Sequence, residues 1–261
     1  CGSAHDTGTA MLELIRHDAI HELRLANPPV NALNPELLRV LHAAIKAAPE
    51  DGARGLILSG RAGIFSAGLD VPSLLKLDRE SVAQAWRDLF GICGALATSP
   101  IPTVAALTGH SPAGGAVMAL FCDYRIMARG DFKIGLNEVQ VGLAVPDAIQ
   151  FALRRLVGPH RAERLLVSGT MLESEAALEV GFVDELADVD DVVARALLWL
   201  SQLLKCPPKA QAETRRLARA DLAALYADPA TLPIESFLDG WFDPEAQQVL
   251  HALVAKLKSR D

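Results

Sequence analysis

Cysteine is scarce and unpatterned. Four occur in 261 residues, Cys1, Cys93, Cys122 and Cys206. None stands in a CxxC spacing, which excludes the usual thiolate metal clusters and dithiol redox motifs. Cys93 and Cys122 fall in apolar, helix-like runs where a free thiol behaves as a small hydrophobe, so the expected setting is a reducing compartment and the expected localisation cytoplasmic. No apolar run approaches the roughly 20 residues that span a bilayer. The first ten residues, CGSAHDTGTA, have neither the basic nor the apolar segment of a targeting signal and read as a disordered tail. An excess of positive charge is also missing: 25 Lys and Arg face 32 Asp and Glu, a net charge of −7. That balance argues against nucleic acid or an anionic membrane as the main partner. Of the seven histidines, His17 and His21 are spaced i, i+4, but in alternating, strand-like sequence that spacing does not make a helical ligand pair. No metal site is expected.

Apolar residues are plentiful, at 51% of the chain, enough for one large domain or a core domain with an appendage. Met11 to Arg16 and Ile20 to Leu25 alternate apolar and polar around His17-Asp18, the pattern of a hairpin. Asn34-Pro35 opens a helix whose face carries Leu37, Leu38, Leu41 and Ile45. Short apolar strands at Gly55–Ser59, Thr103–Leu107 and Tyr124–Ala128 alternate with helices at Ser81–Thr98 and Gly114–Cys122. Repeating units of this kind stack strands with helices outside and gather their loops into one cleft. From Asp147 onward the pattern is mainly helical, with one strand-like stretch, Phe182–Leu186. Helical periods over 192–205, 210–226 and 244–258 carry more apolar stripe than an appendage buries alone, which points to association between subunits.

The run from Gly109 to Gly142 organises the rest. Pro112-Ala113-Gly114-Gly115 is a turn that opens the wholly apolar helix Ala116–Cys122. First-turn amides of a helix have no internal partner, and Gly114 lets an acceptor come close. Such an arrangement serves as half of an oxyanion hole or as an ordinary glycine-rich helix start. Phe65 to Val71, FSAGLDV, is a second small-residue turn entering a helix signal, with Asp70 near the first turn and Pro72 at a plausible first position. Two such turns supply two convergent amides. Glu138 lies in the apolar surround FKIGLNEVQVGLAV, where desolvation raises a carboxylate pKa toward the range useful for a general base; its other reading is a loop-edge carboxylate that caps a turn.

The ordered blocks NPPVN (27–31), FSAGLD (65–70), PAGG (112–115), CDYRI (122–126) and GLNE (135–138) resemble the crotonase, or enoyl-CoA hydratase/isomerase, superfamily, and within it most resemble the Δ3,Δ2-enoyl-CoA isomerases of mitochondrial type. The resemblance implies an α/β fold, a ClpP-like spiral of β/β/α units over residues 10–200, with a helical region over 201–261 that builds a homotrimer or dimer of trimers. It implies an acyl-CoA thioester as substrate and no separate cofactor. By the same resemblance Glu138 is the catalytic base, the amides of Leu69 and Gly114 form the oxyanion hole, Ser66, Ala67, Gly68 and Asp70 contact the CoA thioester through the main chain, and Asn137 borders the acyl chain. Hydratases of the superfamily carry a second glutamate three residues after the oxyanion-hole glycine. Here that position is Val117, which cannot orient water, and the single carboxylate favours moving a double bond over hydrating it.

Asp147, where the isomerases are usually apolar, reads either as the cap of the helix starting there or as a second acid. Gly109-His110-Ser111-Pro112-Ala113 approaches a hydrolase nucleophile elbow, but proline after the serine has no N–H for that oxyanion hole. A catalytically silent acyl-CoA binder is the alternative of another class. Arg215, Arg216 and Arg219 read as a solvated helix face or as a cluster meeting CoA phosphates.

Overall fold

The computed structural model describes residues 11–259; the expected tail and Cys1 lie outside the described residues. Strands β1 (Leu12–His17) and β2 (Ile20–Leu25) form the expected antiparallel hairpin, with Leu12 opposite Leu25 and His17 opposite Ile20. Asp18 turns the chain at φ 53°, a left-handed conformation that Asp tolerates better than most residues. Helix α1 (Pro35–Ala47) starts where expected because the Asn34 side chain accepts the Leu37 amide at 2.8 Å, and it buries Leu37, Leu38, Leu41 and Ile45.

The next stretch repeats one theme. Strands β3 (Gly55–Ser59) and β4 (Gly63–Ile64) precede helices α2 (Val71–Leu74) and α3 (Arg79–Thr98), β5 (Thr103–Leu107) and β6 (Gly109–Pro112) precede α4 (Gly114–Leu120), and β7 (Tyr124–Ala128) is followed by β8 (Lys133–Gly135). Each circuit therefore gives one strand to each of two sheets. The larger runs β1-β2-β3-β5-β7 and ends on β10 (Glu185–Ala187), parallel from β2 onward. The smaller runs β4-β6-β8-β9, with β9 at Leu172–Glu173. Helices α5 (Asp147–Val157), α6 (Pro159–Ser168) and α7 (Ser174–Glu179) follow β8, and α8 (Val192–Leu203) covers the larger sheet. Strands buried on both faces explain the apolar runs of the sequence: Leu56, Leu58, Ala105 and Leu107 enter the main core, while Ile57, Val104, Ala106 and Ile126 pack on Val192, Ala196 and Leu200 of α8. Among the described residues no helix is long and apolar enough to cross a membrane.

Several boundaries differ from expectation for identifiable reasons. Helix α3 begins before Ser81 because Asp78 caps it, accepting the Ser81 amide at 2.8 Å. The smaller sheet escapes periodicity because its strands are two to four residues long, and Pro112 closes one of them instead of belonging wholly to a turn. The late strand sits at Glu185–Ala187, while Phe182 and Val183, expected within it, anchor the core ahead of it. The period over 210–226 breaks at Arg219 into α9 (Pro208–Ala218) and α10 (Ala220–Ala224), and α11 (Ile234–Trp241) was not expected before α12 (Pro244–Lys258).

The arginine cluster is corrected as well. Only Arg216 lies on an exposed face, paired with Glu213. Arg215 forks onto Asp123, Nε to Oδ1 at 2.8 Å and Nη2 to Oδ2 at 2.7 Å, and Arg219 is buried beside it. Arg219 also faces Asp123, at 3.2 Å, so losing Arg215 removes two charge-assisted hydrogen bonds without leaving the carboxylate unpaired. Arg215→Ala is therefore expected to cost about 2 kcal/mol of folding stability, which urea denaturation would measure.

Candidate active site

Two loops carry the site, and the chain locks them together. Asn31, at φ 52°, is fully buried; its Nδ2 donates to the Phe65 carbonyl at 3.0 Å and its Oδ1 accepts the Asn27 amide at 3.0 Å. Ser66 Oγ donates to the Asn31 carbonyl at 2.8 Å and accepts the Gly68 amide at 3.1 Å. Leu33 completes the clamp, donating to the Gly68 carbonyl at 2.8 Å and accepting from the Asp70 amide at 3.1 Å. The amide of Leu69, between those two bonds, makes no hydrogen bond to another described residue. Asp70 then caps α2, accepting from the Ser73 amide at 3.1 Å and the Ser73 hydroxyl at 2.6 Å.

The second loop meets the first backbone to backbone. Gly68 holds φ +83°, and a Cβ placed there would lie 3.1 Å from the Pro112 carbonyl and 3.2 Å from the Gly114 nitrogen, so this position favours glycine on two grounds. A Cβ on Gly114 would lie 3.5 Å from the Leu69 nitrogen. The two amides are therefore neighbours. Ala113, immediately before Gly114, sits at φ 44°, ψ −116°, a sparsely populated conformation for a residue with a side chain. Its own amide is tied to the Gly135 carbonyl at 2.8 Å, while the Gly114 amide heads α4 with no internal partner. Two free donors side by side can share one acceptor on which negative charge develops.

Glu138 opens a short 3₁₀ turn, Glu138–Val141, after Asn137. Gly142, at φ 80°, closes the turn, and the Leu143 amide returns to the Glu138 carbonyl at 3.0 Å. Gln140 ties the turn to the end of α6 through the Gly169 carbonyl at 2.9 Å. Glu138 Oε2 and Asn137 Oδ1 are sealed from solvent, and neither has a hydrogen-bond partner among the described residues. Burial pushes the Glu138 carboxyl up to about 7, against a smaller downward pull from its own backbone amide. A carboxyl of that pKa suits proton transfer near neutral pH.

Ala67, Leu69, Asp70, Gly114, Val117, Asn137 and Glu138 line one cavity of about 600 Å³. Ser66 and Gly68 stand behind its wall, where Ser66 braces the loop. Asp147 points away, with a side chain 84% exposed and 3.4 Å from Arg154. It occupies the first position of α5 and makes no capping hydrogen bond, so it is neither the cap expected of it nor placed as a second acid. Ser111 is fully buried with no partner on Oγ among the described residues, remote from the setting a hydrolase nucleophile needs. His17 is engaged with Glu22 at 2.8 Å.

The apolar part of the cavity was not foreseen. Trp86 and Leu89 of α3, Ile149 of α5, Trp241 of α11, and Leu253 and Leu257 of α12 all line it. Helix α12 packs so closely over the 3₁₀ turn that a Cβ on Gly142 would lie 3.0 Å from Ala246 Cα. The last helices of the chain thus wall the cavity that contains Glu138.

The family model described as enoyl-CoA hydratase/isomerase matches residues 16–238, so the chain belongs to the enoyl-CoA hydratase/isomerase, or crotonase, family. It is 33% identical over 241 residues to enoyl-CoA delta isomerase 1, mitochondrial, of Mus musculus, covering 91% of this chain and 83% of the relative. It is 34% identical over 224 residues to the probable enoyl-CoA hydratase EchA17 of Mycobacterium tuberculosis, covering 85% and 80%. The crystal structure of human mitochondrial delta3-delta2-enoyl-CoA isomerase superposes with a TM-score of 0.90 at 30% identity, covering 96% of this chain and 99% of that one. The two-sheet spiral is the crotonase fold.

Proposed function

We propose that the protein is an enoyl-CoA isomerase that moves the double bond of a 3-enoyl-CoA to the 2-position, as fatty-acid β-oxidation requires. The observation that carries this reading is that, of the two described carboxylates lining the cavity, Asp70 is held by the Ser73 amide and hydroxyl while Glu138 has no side-chain partner on Oε2, and the other candidate acid position is the buried, apolar Val117. The thioester oxygen lies between the Leu69 and Gly114 amides, so that removing a C2 proton delocalises charge onto an oxygen already held by two donors. Glu138 takes that proton and returns it to C4 of the dienolate. Ala67 and Asp70 border the CoA arm with Ser66 and Gly68 bracing them, and Asn137 borders the acyl chain. CoA is part of the substrate, and the reaction calls for no other cofactor. Hydration needs a second group to hold and split water, and neither Val117 nor the outward-facing Asp147 offers one.

A hydratase reading draws on the mycobacterial relative's name. The two separate when 3-enoyl-CoA and 2-enoyl-CoA are supplied individually. Isomerisation without 3-hydroxyacyl-CoA supports the proposal, and efficient 3-hydroxyacyl-CoA formation overturns it. Because the base works deprotonated, kcat/KM is expected to rise with pH through about 7 and then level off. A pH–rate profile with its lower limb near 4 would contradict the role of Glu138. The helices beyond residue 200 are proposed to join subunits into a trimer or dimer of trimers, supported by the exposed Leu217 on α9. A monomeric mass in solution would refute that.

A further inference from the structure

Helix α4 is seven residues long, and every one of them is buried. Its first amide belongs to Gly114. Its other end presents carbonyls that no helical amide can satisfy, in a place water does not reach. Two buried arginines take them. Arg219 Nη2 donates to the Phe121 carbonyl at 2.6 Å and to the Leu96 carbonyl of α3 at 3.3 Å, and its Nη1 lies 3.5 Å from the Cys122 carbonyl. Arg125 Nη1 donates to the Cys122 carbonyl at 3.0 Å and reaches the Ala119 carbonyl at 3.5 Å. Both guanidinium groups are neutralised nearby, Arg219 by Asp123 at 3.2 Å and Arg125 by Asp184 at 2.7 Å. Asp123 is itself fixed by Arg215 and by the Thr103 amide at 2.7 Å.

We infer that Arg219, together with Arg125, is a positioning residue for the reaction: it fixes α4 along its axis and thereby sets where the Gly114 amide points. The inference rests on the proposed role of that amide. A seven-residue helix is about 10 Å long at about 1.5 Å per residue, too short to absorb a shift at one end before it reaches the other. At the other end the Ala113 amide is tied to the Gly135 carbonyl, but the Gly114 amide cannot add to that hold, because an amide that serves the substrate must stay free of protein partners. Arg219 also clamps α4 to α3 through Leu96, and it does so from the junction of α9 and α10. Residues at the α9–α10 junction therefore help set the active-site geometry in addition to those of α12. A lysine cannot replace this fork, since one ammonium does not span both carbonyls in a fixed plane.

The test uses Arg219→Lys in the full chain, with two readouts that a purely structural role does not move together. The first is the split between kcat and KM. A misplacement of about 1 Å costs on the order of 100-fold in rate, so kcat is expected to fall by about tenfold to 100-fold while KM stays within about twofold and the pH profile keeps its rise near 7. The second is the infrared stretch of a saturated acyl-CoA with a ¹³C thioester carbonyl. It should shift to lower frequency on the wild-type protein, where two amides polarise it, and shift less on the variant. An unchanged kcat and an unchanged shift overturn the inference, as does a loss of kcat that follows only the fraction of unfolded protein. If Arg219→Lys gives no folded protein, Asp123→Asn removes the carboxylate partner of Arg219 instead, and the same two measurements support or overturn the inference by the same outcomes. Absence of any shift on the wild-type protein would overturn the oxyanion role of Gly114 itself, and this inference with it.

Discussion

Glu138→Gln is expected to bind acyl-CoA with nearly wild-type affinity and to lose activity by about 10³-fold to 10⁴-fold, near the upper end of what a positioned base contributes. Glutamine keeps the size and the acceptor oxygen but cannot take a proton. The other described carboxylate lining the cavity, Asp70, is tied to Ser73 as the cap of α2, so it does not stand in for Glu138. The same variant should fold more stably at neutral pH. The folded-state carboxyl sits near 7 and the ordinary value is near 4.5. Between those values the folded protein holds a proton that the unfolded chain has released. Wild-type stability is therefore greatest below about 4.5, as far as this group is concerned, and declines as pH rises through about 7. Each pH unit across that window is worth about 1.4 kcal/mol, so the variant should gain a few kcal/mol above pH 7. Urea titrations at pH 5 and pH 8 would check the sign: the difference between variant and wild type should widen with pH. A variant less stable than the wild type at pH 8 would show that the carboxylate is not desolvated as described.

Gly114→Ala should cost on the order of 100-fold in kcat. The added methyl would sit 3.5 Å from the Leu69 nitrogen and 2.9 Å from Leu33 Cδ1. It would crowd the space between the two amides without removing either. Proline would delete the donor outright, but Ala113 at φ 44°, ψ −116° is in a conformation that a following proline disfavours. A loss confined to kcat, read by steady-state kinetics with 3-enoyl-CoA, fits the two-amide site. An unchanged kcat would remove Gly114 from it.

The motifs NPPVN, FSAGLD and PAGG were legible because they are backbone devices. Gly68 must take a positive φ against another main chain, Asn31 must turn left-handed while its side chain fastens the facing loop, and each demand selects a small set of residue types. Glu138 was legible because a carboxylate in an apolar run stands out. The apolar wall of the cavity was not. Trp86, Leu89, Trp241, Leu253 and Leu257 look in sequence like any core residue, and only the folding-back of α11 and α12 makes them a cavity surface. Arg215 and Arg219 misled for the opposite reason. Arginines on a helix suggest a wet face, and the carboxylate that draws them inward, Asp123, lies about ninety residues earlier. Asp147 sits at the first position of its helix, one step inside the cap that local pattern assigned to it. The short strands β4, β6, β8 and β9 are set by neighbours and not by their own propensity, a non-local choice that no window of sequence contains.

The central claim is that one base, Glu138, serves both C2 and C4 of the substrate. It is tested most directly by converting 3-enoyl-CoA deuterated at C2 in ordinary water and locating the label in the 2-enoyl-CoA formed. A single, poorly hydrated carboxyl that removes and returns the same hydron predicts deuterium at C4 well above the level of solvent exchange, with the transfer lost in Glu138→Gln. Product carrying only solvent hydrogen at C4, at a rate that survives Glu138→Gln, would contradict it.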